Sequence, residues 1–160
     1  MKLKNIKLQN FTELSKEKQL EILKWRNHTN VRKWMYSSDL ISQQDHFLFI
    51  EKLKTDYSKR YFLVSKENEE IGVISFTNIN QQETYLGLYA NPYSKIPGIG
   101  KVLITISIDY ALNILKVKFL KLEVLSINEK AINLYKKFNF KEYKRKIVNN
   151  KEIICMELKL

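Results

Sequence analysis

Residues 84–101, Thr84-Tyr85-Leu86-Gly87-Leu88-Tyr89-Ala90-Asn91-Pro92-Tyr93-Ser94-Lys95-Ile96-Pro97-Gly98-Ile99-Gly100-Lys101, decide how this chain folds. Residues 84–89 read as a strand. Residues 91–100 hold both prolines and two of the four glycines of the chain, so they form a loop. The run 101–115 is too long for a typical strand and reads as a helix. Its β-branched residues lower helix propensity, so burial must stabilise it.

Upstream, Arg60-Tyr61-Phe62-Leu63-Val64-Ser65 is strand-like, the polar residues 66–70 turn the chain, and 71–77 is the partner strand. Asn80-Gln81-Gln82-Glu83 turns again into 84–89, so the three strands predict an antiparallel meander. Earlier still, Leu14, Leu20, Leu23 and Trp25 place an amphipathic helix over 13–25, ending near Arg26-Asn27-His28. Residues 31–41, with Trp34, Met35 and Tyr36, are short irregular or helical structure. Ser42, three residues before Asp45, opens a second helix over 43–54 carrying Phe47, Ile50 and Leu53. Downstream come a strand at 119–125, a short helix at 128–137 with Ala131, Leu134 and Tyr135, and a hairpin of 140–148 and 152–158 turning at Asn149-Asn150. This order predicts an α/β fold of the α+β kind: one domain over residues 1–160, with a mixed, mostly antiparallel sheet flanked by helices. No internal repeat or linker divides the chain.

The 160 residues, 44% hydrophobic and 28% charged, exclude disorder and fibre architectures. A single cysteine excludes an internal disulfide scaffold and a thiolate-only zinc site. No apolar run approaches the roughly 20 residues of a membrane span. The start Met1-Lys2-Leu3-Lys4 leads into Asn5, Lys7 and Gln9 rather than an apolar signal segment, so a soluble cytoplasmic protein is expected. The net charge of +11 suits either nucleic acid or phosphorylated nucleotides and cofactors. The lysines are spread almost evenly, with no basic tail and no zipper, and nucleic acid is not the expected partner.

Gly98-Ile99-Gly100 lies between a strand and a helix, where free N–H groups can bind a phosphate. Lys95 and Lys101 flank it with positive charge. The alternative is a plain connecting loop. A Walker A loop is absent. The dinucleotide fingerprint fails at Leu103, where its third glycine would stand.

The segment Lys95-Ile96-Pro97-Gly98-Ile99-Gly100 resembles the acyl-CoA loop of the GNAT superfamily of N-acetyltransferases, Gln/Arg-x-x-Gly-x-Gly/Ala at a strand-to-helix junction. Lys95 stands where Gln or Arg is usual, and Pro97 removes one N–H donor. Asn128-x-x-Ala131-x-x-Leu134-Tyr135-x-x-Phe138-Asn139-Phe140 resembles the superfamily's Asn-x-x-Ala-x-x-Leu-Tyr-x-x-Gly-Phe segment. Asn139 takes the glycine's place as a left-handed helix-ending residue. Within the superfamily, Trp25-Arg26-Asn27-His28, Trp34-Met35-Tyr36, His46-x-x-Phe49-Ile50, Arg60-Tyr61-Phe62-Leu63 and Gly87-Leu88-Tyr89-Ala90-Asn91-Pro92 resemble the bacterial enzymes that acetylate UDP-4-amino-4,6-dideoxy-N-acetyl-β-L-altrosamine in pseudaminic acid biosynthesis.

The resemblance implies acetyl transfer from acetyl-CoA to the 4-amino group of a UDP-linked amino sugar, by direct attack in a ternary complex and without metal. It implies that Tyr135 protonates the departing CoA thiolate, a role suited to an O–H donor; the plain alternative is a packed aromatic. The backbone of Leu88, Tyr89 and Ala90 would hold pantetheine and the acetyl carbonyl. Lys95, Gly98, Ile99, Gly100 and Lys101 would hold the pyrophosphate. Asn128 would contact the cofactor arm while also capping its helix. Arg26, His46, Thr77, Asn78 and Tyr89 would form the UDP pocket, with His46 donating a hydrogen bond or stacking on uracil; the role of His28 stays open. Glu123, a carboxylate interrupting an apolar strand, is either half-exposed or a base acting through a water held by Ser75. Two histidines without a third close ligand assign no metal. The rival readings are acetylation of a protein N-terminus, lysine or other small amine, and a non-enzymatic basic RNA- or partner-binding module. A homodimer is an open option for assembly.

Overall fold

A computed structural model describes residues 3–160, so Met1 and Lys2 of the polar start lie outside the described residues. In chain order the elements are β1 (Ile6–Asn10), α1 (Lys16–Asn27), α2 (Thr29–Arg32), α3 (Gln43–Leu53), β2 (Arg60–Lys66), β3 (Glu69–Thr77), β4 (Glu83–Ala90), α4 (Ile99–Tyr110), β5 (Phe119–Leu125), α5 (Glu129–Lys137), β6 (Lys141–Val148) and β7 (Lys151–Lys159). The strands form one sheet in the order β1-β2-β3-β4-β5-β7-β6.

Period-two alternation assigns each face of the sheet. Phe62, Ile74, Phe76, Leu86, Leu120 and Leu122 pack against α4 and α5 in the larger core. Leu63 and Val73 turn the other way, toward Ile22 and Trp25 of α1 and Ile50 and Leu53 of α3. β3 is buried from Ile71 to Phe76 because helices cover both of its faces. The predicted meander β2-β3-β4 is present and antiparallel.

One strand was not predicted, and the starts of two helices are corrected. β1 was not legible: it has five residues, alternates weakly, and exists through antiparallel pairing with β2, Ile6 opposite Lys66 to Asn10 opposite Phe62. The first helix begins at Lys16, not at residue 13. Phe11–Glu13 is a 3-10 turn, and the Ser15 side chain accepts from the Lys18 N–H to cap α1. The long helix begins at Ile99, and its last turn, Ala111–Leu115, widens to a π turn that Lys116 ends at φ 54°.

β4 and β5 are the parallel pair, joined through α4 as a parallel connection requires. Their register runs only from Glu83 opposite Phe119 to Leu86 opposite Leu122. Gly87 to Ala90 of β4 and Glu123 to Leu125 of β5 lie beyond the last pair, so the strands part in mid-sheet.

Asn139 ends α5 at φ 69°, as its place in the helix-ending motif predicts. Its N–H donates to Lys136 O at 3.0 Å and that of Phe140 to Tyr135 O at 3.1 Å. A β-branched residue in this conformation costs about 1–2 kcal/mol. Asn139→Val is therefore expected to lower the unfolding free energy by about that amount, with Asn139→Gly close to neutral. Urea denaturation of both variants measures it, and equal stability of the two would remove the left-handed requirement.

Candidate active site

Three segments meet where β4 ends. The end of β4 and the following loop (Ala90, Asn91, Pro92), the first turn of α4 (Gly98, Ile99, Gly100, Lys101) and one face of α5 line an open cleft of about 650 Å³. Gly98 precedes α4 at φ 75°, with no side-chain cap. A Cβ there would meet nothing within 4 Å, so the dihedral rather than crowding calls for glycine. A Cβ on Gly100 would come 2.8 Å from Leu134 Cδ2, so this glycine lets α4 and α5 close on each other. The first-turn N–H groups of α4 have no acceptor within the helix and, with the positive end of its dipole, suit an anion.

The cationic lining is Lys101, Lys130 and Lys137. Lys95, expected to hold the pyrophosphate, is exposed and outside this lining. The sequence reading missed Lys130, Asn133 and Lys137. Their signal was helical spacing: 130, 133, 134 and 137 share one face of α5.

Tyr135 is half-buried beside that face, edge-on to Phe140 with ring centroids 5.8 Å apart. Burial pushes its phenol up to about 12, so the hydroxyl keeps its proton through neutral pH. Asn128 caps α5, its Oδ1 accepting from the Ala131 N–H at 3.3 Å. Leu88, Tyr89 and Ala90 lie on β4 beyond the last β5 pair. Their backbone on that side has no strand partner, and Ala90 lines the cleft.

On the opposite face of the sheet, Ser75 is buried, paired in register with Tyr61 of β2 and Gly87 of β4. A Cβ on Gly87 would stand 2.6 Å from Ser75 Oγ, so glycine leaves the space beside the hydroxyl open. Glu123, opposite Cys155, is half-buried, and its Oε1 accepts from Lys146 Nζ at 2.7 Å. That bond pushes the Lys146 ammonium up. Glu123 is thus an ion-paired carboxylate rather than a free one, with Oε2 outside the pair. Cys155 is buried and its thiol is pushed up by burial, the opposite of an activated nucleophile.

Arg26, at the end of α1, has a buried Nη1 with no hydrogen-bond partner. Burial pulls the guanidinium down from its usual value, and the neighbouring Tyr89 and Tyr61 oppose this. Burial in turn raises both phenols. The structure therefore brings Arg26, Tyr89 and Ser75 together, with Tyr61, which the sequence reading did not single out, between them. Thr77 lies two residues farther along the same face, opposite Tyr85, and Asn78 is exposed at φ 50°.

The structure places His46 at the contact of α3 with α1. Its ring is 5% exposed and its Nε2 is 2.8 Å from Gln19 O, tying α3 to α1. Burial lowers its pKa. His28 caps α2, its Nδ1 accepting from the Asn30 N–H at 3.1 Å, and meets the Tyr93 ring at right angles. Among the described residues no group of three or more His, Cys, Asp or Glu could hold a metal ion, and no helix is long and apolar enough to cross a membrane.

Comparison with known proteins agrees with this geometry. The model of the acetyltransferase (GNAT) family matches residues 18–140. Acetyltransferase PseH of Campylobacter jejuni is 43% identical over 138 residues, 86% of each chain. The crystal structure of C. jejuni N-acetyltransferase PseH in complex with acetyl coenzyme A superposes with a TM-score of 0.79 at 37% identity, covering 96% of this chain and 98% of that one. Spermidine N-acetyltransferase from Vibrio cholerae, solved with CoA and spermine, shares the fold at a TM-score of 0.86 and 21% identity, over 97% of this chain and 95% of that one. The chain belongs to the GNAT acetyltransferase family. In this chain the sheet parts between β4 and β5, with a basic cleft at the end of β4.

Gly98→Asp places a β-carbon at a positive φ and a negative charge at the start of α4. The expected result is a rise of about tenfold or more in the KM for acetyl-CoA, equivalent to about 1.4 kcal/mol, with the circular dichroism spectrum retained. An unchanged KM would move pyrophosphate binding away from this loop.

Proposed function

We propose that this acetyl-CoA-dependent N-acetyltransferase acts on the 4-amino group of a UDP-linked 4-amino-4,6-dideoxy-N-acetylhexosamine, in the pseudaminic acid pathway of the cytoplasm, and that residues 1–160 are one catalytic domain. The observation that carries the acceptor class is Arg26. A buried guanidinium nitrogen without a partner is costly, and a phosphate oxygen of a nucleotide diphosphate would satisfy it with a charge-assisted bond. The match to the PseH enzymes and the sequence resemblance to the pseudaminic acid pathway support the same reading. A polyamine acceptor, the ligand class of the Vibrio structure, is disfavoured by Arg26, a buried cation with an unpartnered nitrogen, whereas Lys121 and Lys146 are already paired with carboxylates.

In this reading the first turn of α4, with Lys101, Lys130 and Lys137, holds the pyrophosphate of acetyl-CoA. The cofactor arm enters the gap between β4 and β5, and an N–H near Leu88 or Tyr89 polarises the thioester carbonyl. The amino sugar lies on the opposite face, over Gly87 and Ser75. Its neutral amine attacks the thioester carbon, forming the C–N bond as the carbonyl π electrons move to oxygen. Collapse breaks the C–S bond. The amine proton leaves through a water at Ser75 to the free oxygen of Glu123, and Tyr135 donates its proton to the thiolate.

The two proton transfers separate by mutation. Tyr135→Phe should keep fold and cofactor binding while slowing turnover roughly 10²-fold or more, the scale of a lost general acid. Glu123→Gln should depress kcat/KM most at low pH, where the acceptor arrives as ammonium, and recover in part as pH rises. Tyr135→Phe should recover little, because hydroxide and free amine replace a base but protonate no thiolate. Thiol release with acetyl-CoA and a panel of UDP-amino sugars, free amino sugars, peptides and aminoglycosides gives both the acceptor and the pH–rate profiles. Activity on peptides alone would overturn the sugar reading, and equal rescue of the two variants would overturn the assignment of roles.

A further inference from the structure

Residues 33–41 form a strap without regular structure that leaves α2 and returns to α3. Asn27, the last residue of α1 and the neighbour of Arg26, holds its return end from both sides of one residue. Asn27 Nδ2 donates to Ile41 O at 2.9 Å, and the Ile41 N–H donates to Asn27 Oδ1 at 2.8 Å. Arg32 Nη1 donates to Ser38 O at 2.8 Å within the strap. The other end is tied to the β6–β7 turn: Asn149 Nδ2 donates to Tyr36 O at 3.1 Å and Lys151 Nζ to Met35 O at 3.2 Å. Each tie is to backbone, so it sets the path of the strap rather than the identity of its side chains.

The path runs from the end of α1, where Arg26 sits, to the hairpin that carries Lys146 and Cys155. Its ends thus lie beside Arg26 and against the β6–β7 hairpin, and between them the rings of Trp34 and Tyr36 are partly exposed. We propose that Asn27 is a positioning residue for the acceptor. By clamping Ile41 it fixes the strap as a wall of the acceptor site, with Asn149 as a second, weaker tie at the far end. This rests on the acceptor lying on that face, as proposed above. Asn27 touches no reacting atom and stands apart from the acetyl-CoA cleft.

Asn27→Ala removes both bonds. Hydrogen exchange of the Ile41 amide in the ligand-free protein should accelerate at least about tenfold, since the amide loses its acceptor. The KM for the acceptor should rise by about tenfold or more, while the KM for acetyl-CoA stays within about twofold. Asn149→Gly tests the far tie in a variant that keeps the positive φ of 50° at that exposed turn, so it serves also if Asn27→Ala fails to fold. It should raise the acceptor KM by a smaller factor, again without moving that of acetyl-CoA. Unchanged Ile41 exchange, equal changes in both KM values, or faster exchange with an unchanged acceptor KM would each overturn the proposal. The acceptor used is whichever amine the wild-type enzyme acetylates. Failure of the UDP-sugar reading therefore shows in the wild-type panel, and failure of the Asn27 proposal shows in the variants.

Discussion

The structure turns on the point where β4 and β5 stop pairing. A parallel pair needs a crossover, and here the crossover is α4, whose N-terminus returns to the end of β4. If the ladder ran its full length, Gly87 to Ala90 would spend their hydrogen bonds on β5 and the sheet would be sealed. Because it ends at Leu86 and Leu122, backbone groups face a gap, the dipole of α4 points at its mouth, and the two sheet faces communicate through it. The antiparallel strands on either side hold the gap open. β5 is paired to β7 along its whole length and β4 to β3 from Gly72 to Thr77, so neither strand is free to swing across.

In the proposed mechanism the gap also separates the two proton transfers. Tyr135 belongs to the α4–α5 side, in an apolar setting that keeps its hydroxyl protonated. Ser75 and Glu123 belong to the opposite side, among hydroxyls and an ammonium.

Charge is distributed in the same sense. The lysines of the α4–α5 cleft surround the positive end of a helix, a place suited to phosphates. Arg26 is different in kind, because its guanidinium is partly desolvated and lacks a carboxylate. Folding bears that cost, and an anionic acceptor would recover it, which makes affinity for the acceptor depend on a cation already stripped of water.

Much of this was legible in the residues. The turns Asn80-Gln81-Gln82-Glu83 and Asn149-Asn150, the Ser42 cap, the left-handed Asn139 and the Gly98 loop are local features, and local dihedrals and caps need no distant partner. Polar turns likewise bounded the central strands. What failed to show were contacts made by residues far apart in sequence. β1 is a strand because β2 accepts it as an edge partner. His46 reads as a binding histidine until α1 arrives and takes its ring nitrogen. Lys95 lies next to the loop in sequence but outside the cleft, whereas Lys130 and Lys137 enter it from another helix. Glu123 acquires Lys146 from β6, which lies one strand beyond its neighbour β7 in the sheet. The sequence alone therefore determined the order of elements, their caps and the loop chemistry. The tertiary structure alone decided which polar groups are spent on one another and which are left for a ligand, because that depends on hydrogen bonds formed only when the sheet and its helices close.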